Sequence, residues 1–196
     1  MIAARIAGLL VLGLWLAGTP LLAEEYAAVP HGVDPELRRL LTEAINDSDG
    51  FDDRFEAEVW LVDMSTRMEK FIADPQERLV LLRHVHREAS RAGLMPEIVL
   101  AVIEVESRFD RYAISDAGAQ GLMQIMPFWL DEIGKPGDSL FNMRTNLRLG
   151  CTILRYYMDL EKGNLTRALM RYNGSLGSHR YTDRVFLALD RHWRVL

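Results

Sequence analysis

From about position 34 onward, apolar residues recur every three or four positions, and the breaks between runs carry helix-opening or helix-ending chemistry. Asp34-Pro35 sets a capping acid before a proline suited to the first helical position, and predicts a helix over 34–45. Asn46-Asp47-Ser48-Asp49-Gly50 is a turn cluster. Phe55, Val59, Met64, Met68 and Phe71 then form an amphipathic stripe, imperfect at Met64. Asp74-Pro75 repeats the cap-and-proline signal, and Leu79, Leu82, Val85 and Ala89 mark a helix that Gly93 ends. After Met95-Pro96 an almost wholly apolar helix is predicted over 97–107. Positions 113–121 are rich in small residues and include Gly118 and Gly121, which reads as a loop. Further helices are predicted over 146–160, from an Asn164 cap to 172, and over 181–194. No stretch alternates apolar and polar residues for long enough to suggest a strand, and no internal repeat is visible. The predicted fold class is mainly α.

The beginning of the chain follows a different pattern. Arg5 precedes an apolar run over 6–18, and Thr19-Pro20-Leu21-Leu22-Ala23 leads abruptly into Glu24-Glu25. A charged start, an apolar centre and a small residue before a polar boundary describe a secretory signal peptide over 1–23, cut after Ala23. The alternative is an uncleaved anchor, because 6–23 is 18 residues, the lower limit of a spanning helix. Pro20 and the single basic flank favour cleavage, which leaves no transmembrane segment and places the product in the periplasm. Loss of Arg5 takes the charge from −5 to −6, with 28 acidic residues remaining against 22 basic. That balance lacks the clustered Lys and Arg that phosphate backbones demand, so nucleic acid is excluded as a partner. A single cysteine, Cys151, excludes an intramolecular disulfide and any multi-cysteine metal site.

Candidate chemistry sits on the apolar helix. Glu104 and Glu106 are separated by about 200° around its axis, nearly opposite. Glu106 shares its face with Val99, Val102, Ile103 and, beyond the helix, Phe109, whereas Glu104 follows Glu97, Leu100 and Ala101 on a face more able to reach water. A carboxyl held against apolar surface loses hydration of its charged form, and its pKa rises toward the range a general acid needs. The competing explanation is a buried glutamate satisfied by backbone amides or by Arg108.

The text around Glu106 adds a second argument. Glu106-Ser107-Arg108-Phe109 is followed by Gly118-Ala119-Gln120-Gly121-Leu122-Met123-Gln124-Ile125-Met126-Pro127, then by Arg171-Tyr172-Asn173-Gly174 and Tyr181-Thr182-Asp183-Arg184. At these residues, within 93–188, the sequence resembles the soluble lytic transglycosylase family, whose catalytic domain has a lysozyme-like fold related to goose-type lysozyme. The resemblance implies a peptidoglycan lyase whose single catalytic acid falls on Glu106. It implies cleavage of the β-1,4 bond from N-acetylmuramic acid to N-acetylglucosamine with formation of a 1,6-anhydromuramoyl end. Neither metal nor organic cofactor is implied. A two-carboxylate glycosidase needs its second acid within about 5–10 Å; Asp110 and Asp116, the nearest in sequence, read as turn-forming residues instead. A muramidase hydrolysing the same bond, or a non-catalytic peptidoglycan-binding protein of the same fold, are the alternatives. Protein partners from the wall or from a secretion machine stay open.

The same resemblance assigns substrate contacts to Ser107, Gly121, Met123, Gln124, Tyr172, Asn173 and Tyr181. Bland roles compete for three of them: back-bonding for Ser107, core packing for Met123 and a helix cap for Gln124. Two positions depart from the family pattern, Arg171 where alanine is usual and Ser175 where glycine is usual; Gly174 and Gly177 are placed to supply flexibility instead. The segment 24–91 carries no family motif and reads as a helical extension to a catalytic domain over 92–196. His84 and His86 project to opposite sides of a helix, and His84 with Glu88 lacks a third ligand, so no metal site is expected. No nucleophile-elbow motif is present. Trp60, Trp129 and Trp193 are either sugar platforms or buried aromatics, with Phe128-Trp129 the best-placed pair for sugar. Arg180, Arg184, Arg191 and Arg194 read as a solvated face rather than a site for an anionic polymer.

Overall fold

A computed structural model describes residues 54–133 and 137–195, all inside one compact unit, Val33–Leu196. The expected signal peptide, the helix expected over 34–45 with its turn cluster, and the side chain of Phe55 lie outside the described residues. The chain runs through α1 (Arg54–Met68), α2 (Pro75–Arg91), α3 (Pro96–Ser107), α4 (Phe128–Ile133), α5 (Met143–Leu160), α6 (Leu165–Tyr172) and α7 (Arg180–Ala188). It ends in a single π-helical turn, Leu189–Trp193. Among the described residues there are only two isolated β-bridges, Ile114 to Gln120 and Gln120 to Ile125, so the mainly α class stands.

Local chemistry explains most helix starts. The Asp74 carboxylate accepts from the Gln76 amide at 2.9 Å, with Pro75 in the first turn of α2. Asn164 caps α6 by accepting from the Arg167 amide at 3.0 Å, as its position in the sequence suggests. α5 begins earlier than expected: Asn142, not Asn146, is the cap, accepting from the Thr145 amide at 3.1 Å. Asn146 is instead buried inside the first turn, where its amide serves a loop. The short α4 has no period to read in its six residues.

α3 is the centre of the molecule. From Val99 to Ile103 no side chain reaches solvent, and the helix packs against α2, α7 and the π-turn. Burying such a run contributes about 1.5–3 kcal/mol for each large apolar side chain. α1 packs on α2, α2 on α5, α5 on α6 and α6 on α7, around one core that reaches from Leu61 to Trp193. The apolar stripe of α1 is phased differently from the expectation. Leu61, Met64, Ser65 and Met68 face inward, Val59 is 53% exposed, and Phe71 lies beyond the helix. Buried Ser65 accepts from Arg78 Nε at 3.2 Å, which lets a polar residue occupy the inner face. Arg67 Nη1 donates to the carbonyls of His192 and Arg194, each at 3.1 Å, and so ties α1 to the end of the chain.

Candidate active site

The apolar character of α3 carries Glu106 to the last turn of a largely buried helix, where the helix meets the cleft. Arg108 and Phe109 then both take left-handed backbone conformations, φ 52° and 69°, so the chain leaves the helix abruptly just past the acid. Glu106 is half-buried at the edge of a cleft of about 810 Å³. Desolvation pushes its pKa from 4.5 up to about 7. Two groups work against that rise. The Tyr181 hydroxyl donates to Glu106 Oε1 at 2.6 Å, and the guanidinium of Arg184 lies near enough to favour the charge. With Oε1 accepting from Tyr181, Oε2 is the oxygen left to carry and transfer a proton.

Tyr181 is 5% exposed, and burial together with the neighbouring Glu106 drives its own pKa well above the ordinary phenol value. It is therefore a fixed donor at any working pH. Arg184 Nη2 also donates to the Val105 carbonyl at 3.1 Å, which seats its guanidinium next to Glu106.

Apart from Asn173, the other residues assigned from the sequence converge on one loop, 120–125. Ser107 Oγ lies 2.8 Å from the Leu122 carbonyl and 3.2 Å from that of Ile103, so its single proton joins the loop to the end of α3. The Tyr172 hydroxyl donates to the Met123 carbonyl at 2.8 Å. Gln124 Nε2 donates to the carbonyls of Ala113 and Gly121, at 3.2 and 2.9 Å, while the residue itself lines the cleft. Gly121 adopts φ 76°, and a Cβ there would collide with the Asn146 amide and the Leu140 carbonyl oxygen. Only glycine fits that approach.

Of the seven residues assigned as substrate contacts, Ser107 and Gln124 line the cleft, and Gly121, Met123, Tyr172, Asn173 and Tyr181 do not. The Met123 side chain is fully buried against Gly150, which has no Cβ to contest the space. Met123 is thus a core residue whose backbone serves the loop. Asn173 is exposed at the end of α6, and it does not line the cleft around Glu106. Tyr172 is closer, since the charge of Glu106 contributes to raising its pKa. Arg171, unusual for the family pattern, shares the Glu161 carboxylate with Arg167. Gly174 and Gly177 take φ 70° and 89°, so the turn after α6 uses glycine at both expected places.

Sequence reasoning missed four contributors. Asn146 accepts from the Met123 amide at 2.8 Å and donates to the carbonyls of Gln120 and Leu140, both at 2.9 Å. Glu104, expected to reach water, has a side chain only 15% exposed and lines the same cleft. Its oxygens are engaged by His192 Nδ1 at 2.9 Å and by Trp193 Nε1 at 2.8 Å. Lys70 and Phe71, just past α1, complete one wall. Trp193 is wholly buried against Phe71 and Phe109, with ring centroids 5.9 and 5.5 Å away. Trp60 donates to Glu97 Oε1 at 2.7 Å. Phe128 is 52% exposed beside Trp129 but outside the cleft around Glu106. Asp110 accepts from the Tyr112 amide at 2.8 Å, a turn-forming contact.

Residues 84–186 match the family model described as Transglycosylase SLT domain. The chain is 30% identical over 110 residues to the membrane-bound lytic murein transglycosylase C of Yersinia pestis (strain Pestoides F). It is equally similar to the one from Yersinia pseudotuberculosis serotype O:1b (strain IP 31758). Each alignment covers 48% of this chain and 31% of the relative, so the chain spans about a third of the length of these curated relatives. Among solved structures, similarity is found to an inactive mutant of the lytic transglycosylase Slt from Pseudomonas aeruginosa, at 22% identity and a TM-score of 0.45, over 82% of this chain and 34% of that one. The 70 kDa soluble lytic transglycosylase of Escherichia coli gives 24% identity and the same TM-score, over 82% of this chain and 27% of that one.

Proposed function

The chain belongs to the transglycosylase SLT domain family, and from that membership we propose that it is a lytic transglycosylase acting on peptidoglycan in the cell envelope. The observation that carries this reading is the state of Glu106: one half-buried carboxyl at the cleft, lifted to about 7, with a single buried phenol on Oε1. Such a group is part protonated near neutral pH and can serve first as acid and then as base.

In the proposed reaction, Glu106 Oε2 gives its proton to the glycosidic oxygen between N-acetylmuramic acid and N-acetylglucosamine, and the C1–O bond breaks. The glutamate is now a carboxylate, which Tyr181 and Arg184 stabilise. It takes the proton of the muramoyl C6 hydroxyl as that oxygen bonds to C1, closing a 1,6-anhydro ring. Glu106 ends protonated and no water is consumed. Because the substrate supplies the nucleophile, no second free carboxylate is needed. Glu104 fits that economy, since its oxygens are already engaged by His192 and Trp193.

Ser107, Gly121, Asn146 and Tyr172 act through the backbone of loop 120–125, holding Gln124 at the cleft. Ile114, 64% exposed at the cleft, offers an apolar surface to a sugar ring. Within the extension, the described residues 54–91 shape one end of the groove, where Lys70 and Phe71 lie. The periplasm is the proposed location, reached through the signal peptide at 1–23. The test is lysis of purified sacculi, followed by turbidity: wild-type protein clears them and Glu106→Gln does not. Equal clearing by both would remove Glu106 from the chemistry.

A further inference from the structure

The cleft is charged opposite to the protein that contains it. The chain carries a net charge of −5, yet among the described residues the cleft is lined by Lys70, Arg108, Arg184 and Arg191 against Glu104 and Glu106. The carboxylates are the weaker side of even that balance. Glu104 is engaged by His192 and Trp193, and Glu106 is partly neutral near pH 7. The cations are not consumed by the protein in the same way. Lys70, Arg108 and Arg191 are exposed, and none has an ion-pair partner among the described residues; Lys70 instead lies 5.0 Å over the ring of Phe71. By contrast Arg194, on the same final turn, pairs with Asp190 through Nε at 2.9 Å. Free cations therefore gather on the cleft side.

Their origin is informative. Lys70 and Arg191 lie outside residues 84–186, the stretch that matches the family. They are brought to the same cleft by tertiary contacts of this chain: Arg67 holds the carbonyls of His192 and Arg194, and Phe71 packs against His192 and Trp193 with centroids 5.8 and 5.9 Å away. These contacts bring the backbone that carries Lys70 and the turn that carries Arg191 to one wall of the cleft.

We propose that Lys70 and Arg191 form a binding site for the carboxylates of the peptide stem carried by the muramoyl residue at Glu106. This inference rests on the peptidoglycan reading above. A muramoyl residue bears its stem on the lactyl ether at C3, and the stem carries free carboxylates. The muramoyl unit whose C6 hydroxyl meets Glu106 projects that stem from C3 of the same ring, so the stem leaves the sugar within one ring's width of the reacting C1. A cationic wall lining the same cleft faces an anionic substituent there, which favours stem-bearing strands and raises their local concentration. Being exposed, the pairing is worth modest energy and is screened by salt.

Two measurements on the full-length protein test the proposal and keep it separate from the proposed reaction. The first uses a muramoyl tripeptide as probe, with binding to the Glu106→Gln protein read by calorimetry. Lys70→Ala with Arg191→Ala should weaken binding by about tenfold at low salt, with thermal melting confirming an intact fold. Amidating the carboxylates of the probe should cost a similar factor with the cations present. The second is the ratio of kcat/KM on strands with tripeptide stems to that on strands stripped by an amidase; the double variant should bring that ratio close to one. Binding indifferent to the double substitution, or inorganic phosphate at equal ionic strength competing as well as the probe, would overturn the stem assignment even if the protein lyses sacculi. Cation-dependent binding in a protein that lyses nothing would sustain the site and defeat the proposed reaction.

Discussion

Tyr181 donates its phenolic hydrogen to Glu106 Oε1 at 2.6 Å across 75 residues of sequence, joining the first turn of α7 to the last turn of α3. The contact lies inside a region so poorly solvated that Glu106 rises to about 7 despite it. Burial keeps the acid protonated, and the phenol limits how far that goes. Both influences suit the proposed reaction, in which Glu106 gives a proton and then takes one.

The first consequence is the pH dependence of activity. The first step needs protonated Glu106, so kcat/KM should fall as pH rises through about 7, with one proton lost. A pH profile of sacculus lysis checks this. An alkaline limb near the ordinary carboxyl value of 4.5 would mean that Glu106 is solvated when it acts.

Tyr181→Phe should move that limb upward. Its hydrogen bond favours the charged carboxylate, so its loss leaves desolvation less opposed and Glu106 holds its proton to higher pH. The rate at the optimum should drop by about tenfold or more, because the carboxylate formed after proton donation loses its donor. A limb moving to lower pH would contradict this role for the phenol.

Stability should respond to the same group in a stated window. Glu106 has a folded value of about 7 against 4.5 for an ordinary carboxyl, so the fold binds its proton more tightly than the unfolded chain does. That contribution is fully present below pH 4.5 and is lost as pH rises through 7. The difference amounts to about 3 kcal/mol. Glu106→Gln stays neutral throughout, so it should match wild type near pH 4 and exceed it by up to about 3 kcal/mol at pH 8. Urea titrations at the two pH values measure the contrast, with a pH-independent difference as the contrary result.

Asn146→Ala should destabilise by about 2–4 kcal/mol, since the Met123 amide and the carbonyls of Gln120 and Leu140 all lose a partner at a buried position. It should also lower kcat through Gln124 and the loop it belongs to, with little change in the pH limb set by Glu106. A shifted limb would mean that Asn146 acts on the acid directly.

These residues differ in how far the sequence discloses them. The burial of the helix that carries Glu106 is legible from its apolar run, although Val99 to Ile103 are buried on every side rather than on one. Glu104 is misread by the same logic: the sequence places it on a face that could reach water, while the partners closing that face, His192 and Trp193, arrive from 88 and 89 residues away. Asn146 looks like the start of α5 and is instead the clamp of a distant loop, a role written only in tertiary contacts. The α1 stripe is misphased because buried Ser65 satisfies Arg78 and Val59 is left outside, an exchange no apolar period can register. Ser107 and Tyr172 are recognisable by family resemblance, but their hydroxyls meet backbone carbonyls of the 120–125 loop, which motif spacing does not specify.

The most direct test of the central assignment is mass spectrometry of the fragments released from sacculi by the purified protein, run beside its Glu106→Gln variant. The account predicts muropeptides ending in 1,6-anhydromuramic acid from the wild type and none from the variant. Fragments ending only in reducing muramic acid, or equal release by the variant, would contradict it.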